Sequence, residues 1–551
     1  MVFTDSIHAA TSDNMRMQII DSLIRHGRPR DACLDSDLVA GLLSPEAYPH
    51  AVERVELVQT HISWVLLTGE FAYKVKKPVE LGFLDFRQLG QRRYFCEEEL
   101  RLNRFWAPDL YLDVVPIVQQ DGCPRVGGNG PAIEYAVRMR QFDQALRLDN
   151  QLEASRLSAD DMLELATEVA ARHHVAERVG PAKRLQRVTR RLMWDNFDDL
   201  VGEVPQERIA ALHRWTKASL SLHETQLRER CDKGFYRECH GDLHLGNIVR
   251  LAGGIRAFDC IEFSEDLRRI DVVADYGFLV MDLEARGRID LAYTFLNRYL
   301  EVCGDYGGVT LLPLYVVYRC LVRAKVAAIR RRERALGESR DEDTATLEHY
   351  CELAQAWTRP RTPVLVVMTG LSGSGKTWLS TRLLTALPAL RIRSDLERKR
   401  LYGLEEKADS HSGIASGLYD RTADHAVYER VFECARSVLV AGFDLIVDAA
   451  FLDAGSRKQA RQLAAECGAG FVLVQAAAPL SVLQERLQRR AAAGSDASEA
   501  GLAVLQHQRD TADPLDSSEL ASAVTVPTDA EVKIAAVAAA VRKAGRVHPA
   551  C

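Results

Sequence analysis

No stretch of this 551-residue chain approaches 18 uncharged apolar residues, so the sequence offers no membrane-spanning helix. Its twelve cysteines include no Cys-x-x-Cys pair and none of the paired spacings of a structural zinc site. Several, such as Cys260, Cys320 and Cys434, sit in apolar surroundings and read as reduced core residues. Charge of one sign is also missing: 71 basic and 77 acidic residues leave a net charge of −6, with no global field to attract nucleic acid or an anionic membrane. The opening residues, Met1-Val-Phe-Thr-Asp5, lack a basic region followed by an apolar core, which makes a soluble, cytoplasmic protein the expectation. No internal repeat is apparent. The chain is nevertheless too long for one core, and about 150 residues per domain implies at least two.

The most informative run is Gly370-Leu371-Ser372-Gly373-Ser374-Gly375-Lys376-Thr377, directly after the apolar Val364-Leu-Val-Val-Met368. It has the spacing and setting of a phosphate-binding loop at the end of a buried strand and the start of a helix. Glycines at 370, 373 and 375 let successive backbone N–H groups converge on one anion, and the helix from Lys376 adds its positive end. Lys376 suits the β- and γ-phosphate oxygens, and Thr377 suits Mg²⁺.

Around this loop the chain alternates strand and helix patterns from Leu365 to Arg490, which predicts a parallel sheet covered by helices. The polar, proline-bearing run 358–363 is the linker candidate. Upstream the texture differs. A hairpin is expected from Ile62 to Val75 around Thr68-Gly69, then an amphipathic helix over Gln91 to Trp106, short strands at 112–118 and 133–139, and largely helical sequence from Ser158 onward. The expected order is an N-terminal extension 1–54, an α+β kinase-like domain 55–357, the linker, and an α/β P-loop domain 364–551.

In the upstream domain, His240-Gly-Asp-Leu-His-Leu-Gly-Asn247 sets Asp242 and Asn247 five residues apart, and Asp259 follows twelve residues on, after a strand. Transfer of a phosphoryl group from ATP needs a carboxylate to accept the proton of the attacking hydroxyl and oxygen ligands for Mg²⁺. Asp242 suits the first task; Asn247 and Asp259 suit the second. The cation on the donor phosphates is Lys74 on the second hairpin strand, with Glu99 on the following helix as its ion-pair partner. Alternation puts Lys76 on the same face, and Glu98 is adjacent to Glu99, so pattern does not separate either pair. His240 reads as a buried support of the loop.

These residues, with Phe258-Asp259-Cys-Ile-Glu-Phe263, resemble the aminoglycoside phosphotransferase branch of the protein-kinase-like fold over roughly residues 55–355. The blocks Tyr73-Lys-Val-Lys-Lys-Pro78, Gly82-Phe-Leu-Asp-Phe86 and Glu99-Leu-Arg-Leu-Asn103 further resemble a subgroup in which this domain is fused to a predicted P-loop kinase. The resemblance implies Asp242 as base, Asn247 and Asp259 as Mg²⁺ ligands and Lys74 as the ATP lysine. It departs from protein kinases in having only Leu67-Thr68-Gly69-Glu70 where a Gly-rich loop would grip phosphate. Related domains act on many alcohols, so the substrate does not transfer.

In the second half, Asp448 ends a predicted strand and Asp395 follows another, both where such sheets present ligands. Asp448 is the expected Mg²⁺ holder, and Asp395 with Arg398 the substrate-hydroxyl acceptor and its neighbouring cation. Arg486 and Arg489, with Arg490, precede a Gly- and Ser-containing loop at 493–499 and are expected to close over the transferring group. Glu397, Lys399 and Arg400 are expected at the surface. Arg393-Ser-Asp395-x-x-Arg398-Lys399, Asp448-Ala-x-Phe451, Arg486-Leu-x-x-Arg489 and Ser495-Asp-Ala497 resemble gluconate-kinase-like and zeta-toxin-like P-loop kinases.

The expected function is a bifunctional, ATP- and Mg²⁺-dependent phosphotransferase acting on small-molecule hydroxyls of the sugar, amino-alcohol or aminoglycoside kind. Two alternatives stand beside it. The P-loop half could be an ATP-sensing switch for the other half. It could instead be a nucleic-acid 5′-hydroxyl kinase, although residues 361–551 hold 23 basic against 22 acidic side chains and so no basic track.

Overall fold

The structure is a computed structural model that describes residues 32–60, 62–81, 84–333, 338–405, 421–493 and 501–547. It divides into two compact units, residues 1–287 with 314–358, and residues 288–313 with 359–551. Residues 288–313, which the sequence reading placed in the upstream domain, thus belong to the second unit. Among the described residues no helix is long and apolar enough to cross a membrane.

The first unit is α+β. Strands β1 (Glu56–Gln59), β2 (Ser63–Leu67) and β3 (Phe71–Lys76) form a meander, followed by a small hairpin β4 (Glu80–Leu81) and β5 (Leu84–Asp85) and the helix Leu89–Trp106. Strands β6 (Tyr111–Gln120), β7 (Cys123–Val126) and β8 (Ala132–Arg140) complete an antiparallel sheet of order β1-β2-β3-β8-β6-β7. The β2–β3 turn needs Gly69, whose φ of +97° lies in the left-handed region. Alternation along β3 sorts its side chains: Tyr73 and Val75 join Leu66, Ile117 and Ala136 in one apolar layer, while Lys74 and Lys76 face the other way. Beyond the sheet come helices from Ala159 onward, the pair β9 (Tyr236–Glu238) with β12 (Arg269–Asp271), and the hairpin β10 (Ile248–Leu251) and β11 (Gly254–Ala257).

The second unit is α/β. Strands β13 (Val364–Thr369), β14 (Leu390–Arg393), β15 (Leu445–Asp448), β16 (Gly470–Ala477) and β17 (Val524–Pro527) form a wholly parallel sheet of order β14-β15-β13-β16-β17. Val366, Met368, Ile446, Val472 and Val474 pack against Leu379 and Leu383 of the helix Lys376–Ala386 and against Ala538 and Val541 of the helix Ile534–Val547. Near-continuous apolar strands are what a parallel sheet covered on both faces demands.

Candidate active sites

In the first unit the charged side chains of β3 meet the helix Leu89–Trp106. Lys74 Nζ lies 2.8 Å from Glu99 Oε1 and donates to Asp259 Oδ1 at 2.5 Å. Lys76 Nζ donates to the other Glu99 oxygen at 2.8 Å and to Glu262. The geometry separates what pattern could not. Lys74 lines a cleft with Asn247, Phe258, Asp259, Tyr111, Gln141 and Met139, whereas Lys76 is wholly buried away from it. Glu98 points elsewhere, to Arg101 and Arg268. Burial alone would depress the Lys74 ammonium, but the carboxylates of Asp259, Glu99 and Glu262 outweigh it and hold it well above its usual range.

The loop 240–247 is held from beneath. Asp275 accepts from the amides of His240 (3.0 Å) and Gly241 (2.8 Å), and His173 Nε2 lies 3.0 Å from it. His240 is fully buried, its Nε2 2.9 Å from the Phe258 carbonyl and its Nδ1 3.3 Å from the Asp242 amide, which is the supporting role its sequence position suggested. His244 accepts from the Gly246 amide (3.1 Å), and its Nε2 stands 3.5 Å from Asp242 Oδ2. Gly241 has φ +83°, and a Cβ there would stand 2.9 Å from the Leu267 carbonyl oxygen. Asn247 Nδ2 donates to Asp242 Oδ2 at 2.9 Å, so the two are one unit, while Asp242 Oδ1 is buried without a hydrogen-bond partner among the described residues. Burial pushes the Asp242 carboxyl up, but His244, His240 and Arg319 outweigh that and leave it below the usual carboxylate range. Asp259 takes φ +64°, and its amide donates to Tyr111 Oη at 3.1 Å. Tyr111, Glu262 and Asn103, whose Oδ1 accepts from the Cys260 amide at 2.9 Å, are site residues the sequence reading did not assign. Only proximity to the motif residues Glu99 and Asp259 could have flagged them.

An orphaned Asp242 oxygen beside an amide oxygen of Asn247 and a partly exposed Asp259 carboxylate is a donor set that fits a hard divalent cation. Lys74 facing the same cleft fits the anionic end of a nucleotide.

In the second unit the loop after β13 has Gly370, Gly373 and Gly375 at φ +143°, +81° and +87°. A Cβ on Gly370 would stand 2.5 Å from the Ala476 carbonyl oxygen, so the cradle admits no side chain there. Lys376 Nζ donates to the carbonyls of Gly370 (2.8 Å) and Leu371 (3.1 Å). Burial lowers its pKa, Asp448 and Asp395 oppose this, and Arg490 adds to it, which places all three charges around the ammonium. Asp448 accepts from Ser380 Oγ at 3.0 Å, and Arg391 reaches the same hydroxyl at 3.2 Å while paired to Glu301 at 2.7 Å. Ser374 Oγ is buried without a partner among the described residues, as suits a loop shaped for an anion.

The arginines differ from expectation. Arg486 braces the loop, donating to Gly373 O (3.3 Å) and to Thr528 O (2.7 Å), and Thr528 Oγ1 in turn donates to Ser374 O (2.6 Å). The structure does not bring Arg489 to the loop: its side chain is 77% exposed and pairs with Glu485 along the helix Leu480–Ala493. The expected closing loop at 493–499 lies outside the described residues apart from its first residue. Asp395, half-buried on the helix Ser394–Leu401, is one of the charges that act on Lys376, and Arg398 pairs with Asp424 at 2.8 Å. The surface assignment of its neighbours is corrected: Glu397 is 1% exposed and holds Arg400 and Arg430, and Lys399 is buried. The helix packs its second face inward, which its short charged sequence conceals.

Residues 365–515 match an AAA domain family. An uncharacterized protein of Mycobacterium tuberculosis H37Rv is 31% identical over 476 residues, spanning 84% of this chain and 92% of that protein. The adenylyl-sulfate kinase of Myxococcus xanthus is 31% identical over 168 residues, covering 30% of this chain and 81% of the enzyme. Among solved structures, a choline/ethanolamine kinase family protein from Mesorhizobium loti aligns with 55% of this chain and 88% of its own, at 11% identity and a TM-score of 0.35.

Proposed function

Because the chain belongs to the family of that mycobacterial protein and is a kinase joining a kinase-like fold to a P-loop kinase domain, we propose that it is bifunctional. Each half transfers the γ-phosphoryl group of ATP to a small-molecule hydroxyl. The observation that carries this reading is Lys74 in simultaneous contact with Glu99 and Asp259 on the cleft that Asn247 also lines, since a nucleotide sensor has no need of the proton acceptor Asp242 beside it.

In the first half Lys74 binds the donor phosphates, with Glu99 fixing its position. Asp242 orients the acceptor hydroxyl and takes its proton as the oxygen attacks phosphorus. Asn247 and Asp259 would hold Mg²⁺, which supplies neutralisation of phosphate charge when bound. In the second half the loop amides and Lys376 bind the phosphates, Thr377 and Asp448 would hold the metal, and Asp395 accepts the hydroxyl proton.

One observation favours the switch reading for the second half: Arg486 serves the loop backbone and Arg489 faces away, so fewer cations than expected serve a transferring group. ATP consumption by wild type, Asp242→Asn and Lys376→Ala across sugars, amino alcohols, aminoglycosides and short oligonucleotides tests both. Compound-dependent turnover lost in only one variant supports transfer by that half; turnover indifferent to every compound and abolished by Lys376→Ala supports the switch.

A further inference from the structure

Asp259 stands on a segment with no ladder to hold it. Strand β11 ends at Ala257, and residues 258–263 are irregular. Four successive amides there still find acceptors, two on the loop 240–247 and two on side chains. Phe258 donates to the Asn247 carbonyl at 2.9 Å and Ile261 to the His240 carbonyl at 3.1 Å. The Cys260 amide donates to Asn103 Oδ1 at 2.9 Å, and the Asp259 amide to Tyr111 Oη at 3.1 Å. With φ at +64°, Asp259 is in the left-handed region, which an L side chain enters at a cost, so its carboxylate keeps its aim only while the peptide is held. The ion pair with Lys74 ties the carboxylate end of the residue, not its main chain.

Tyr111 reaches that amide through a departure from regular strand geometry. It pairs with Met139, and Asp113 pairs with Arg138, so β6 carries one residue, Leu112, more than β8 over this step, a bulge. In a regular strand residues 111 and 113 would share a face. Here they part. Asp113 binds Arg138 at 2.6 Å, on the side where the Arg138 guanidinium lies over Phe71, while Tyr111 turns to the cleft with Met139, Lys74 and Asp259. The Tyr111 ring belongs to a buried cluster with Cys96, Val137 and Phe258, and the residue is 2% exposed. Burial, with the carboxylates of Asp259 and Glu99, holds the phenol well above its usual titration range, so the hydroxyl stays neutral. Its oxygen is the one polar atom the side chain brings to the cleft.

We propose that Tyr111 is a positioning residue for the metal of the first half: by holding the Asp259 peptide in its left-handed conformation, the hydroxyl fixes the carboxylate that would ligate Mg²⁺ and so sets the affinity for the metal–nucleotide complex. This deepens the two-kinase reading and rests on it. Tyr111 acts through Asp259 alone. Asn103 secures the next amide of the same segment and, through its Nδ2 donation to the Glu99 carbonyl at 3.0 Å, ties that segment to the helix Leu89–Trp106.

The test uses the full chain carrying Lys376→Ala, so that nucleotide binding in the second half is weakened, and follows Mn²⁺ binding in the presence of ADP by electron paramagnetic resonance. The component that Asp259→Ala removes belongs to the first half. Tyr111→Phe keeps the ring and deletes the hydroxyl. It is expected to raise the Kd of that component about 10- to 100-fold, the usual effect of removing a group that orients a metal ligand. ADP binding without metal, which rests on Lys74, is expected to stay unchanged and shows that the cleft is intact. In turnover, excess Mg²⁺ is expected to restore most of kcat, a rescue that a damaged fold would not allow. Equal Mn²⁺ affinity in Tyr111→Phe and its parent overturns the inference and leaves the two-kinase reading standing. Metal-free ADP binding weakened as much as Mn²⁺ binding also overturns it, because the hydroxyl then serves the cleft as a whole. Absence of any Asp259-dependent Mn²⁺ component overturns the metal-ligand reading of the first half and the inference with it.

Discussion

At the scale of single residues, the first half turns on how two lysines share one glutamate. Glu99 gives one oxygen to Lys74 and the other to Lys76, and Lys76 also holds Glu262, so the carboxylate is fixed in the orientation that aims Lys74 at the cleft. Removing Lys76 takes away the ion-pair partner of buried Glu262 and one of the two cations on Glu99, and we expect Lys76→Met to lower stability by about 3–5 kcal/mol in chemical denaturation. Lys74→Met leaves Glu99 paired, so its main effect is expected on the KM for ATP and on turnover; a larger stability loss for Lys74→Met than for Lys76→Met contradicts this division. Asp242→Asn is expected to retain ATP binding and lose about 10²- to 10⁴-fold in first-half kcat. Since its surroundings hold the Asp242 carboxyl below the usual carboxylate range, the proposed base is ionised throughout the neutral range and is lost only as pH falls below the ordinary carboxylate values. First-half kcat/KM is therefore expected to show no acid limb attributable to this carboxyl above about pH 4, and a limb near neutrality that Asp242→Asn abolishes argues against the assignment.

At the scale of elements, the sequence was legible where periodicity and glycine carry the signal. The β2–β3 hairpin follows from an apolar run, Thr68-Gly69 and a second run; the loop after β13 follows from its glycines and the strand before it. The short strand β17 escaped because it has four residues, ends in Pro527 and sits at a sheet edge, where propensity says little. The burial of Glu397 and Lys399 escaped for a related reason: a charged eight-residue helix has no apolar stripe, and its inward face is built from ion pairs. Nor does sequence reveal which sheet the helix Ile289–Cys303 serves. Its Asn297 accepts from the Arg391 amide at 2.7 Å and donates to the Ala389 carbonyl at 3.0 Å, closing the open edge of β14, and its Glu301 pairs with Arg391. Glu301→Ala strands a buried guanidinium. We expect it to cost the second unit about 3–5 kcal/mol and to weaken nucleotide binding there through Ser380 and Asp448; an unchanged denaturation midpoint contradicts the network.

At the scale of the molecule, two candidate sites share one chain, and the division between units falls at the linker, between Thr358 and Arg359, and also at either end of residues 288–313. The candidate site motifs were readable because each is local, an eight-residue loop in either half. The membership of residues 288–313 was not, because it depends on contacts with residues about 90 positions downstream. A chain of residues 359–551 therefore lacks Asn297, Glu301 and Tyr306, whose hydroxyl donates to the Arg391 carbonyl at 3.1 Å. It is expected to unfold at a lower temperature than the second unit does within the full protein, and equal melting of the two contradicts that membership. For the central claim, two independent phosphotransferases, the direct measurement is ATP consumption by the full protein, Asp242→Asn and Lys376→Ala over one panel of hydroxyl compounds. Two sets of compounds are expected, one silenced by each substitution with the other intact. A single set silenced by both, or turnover that ignores every compound, contradicts it.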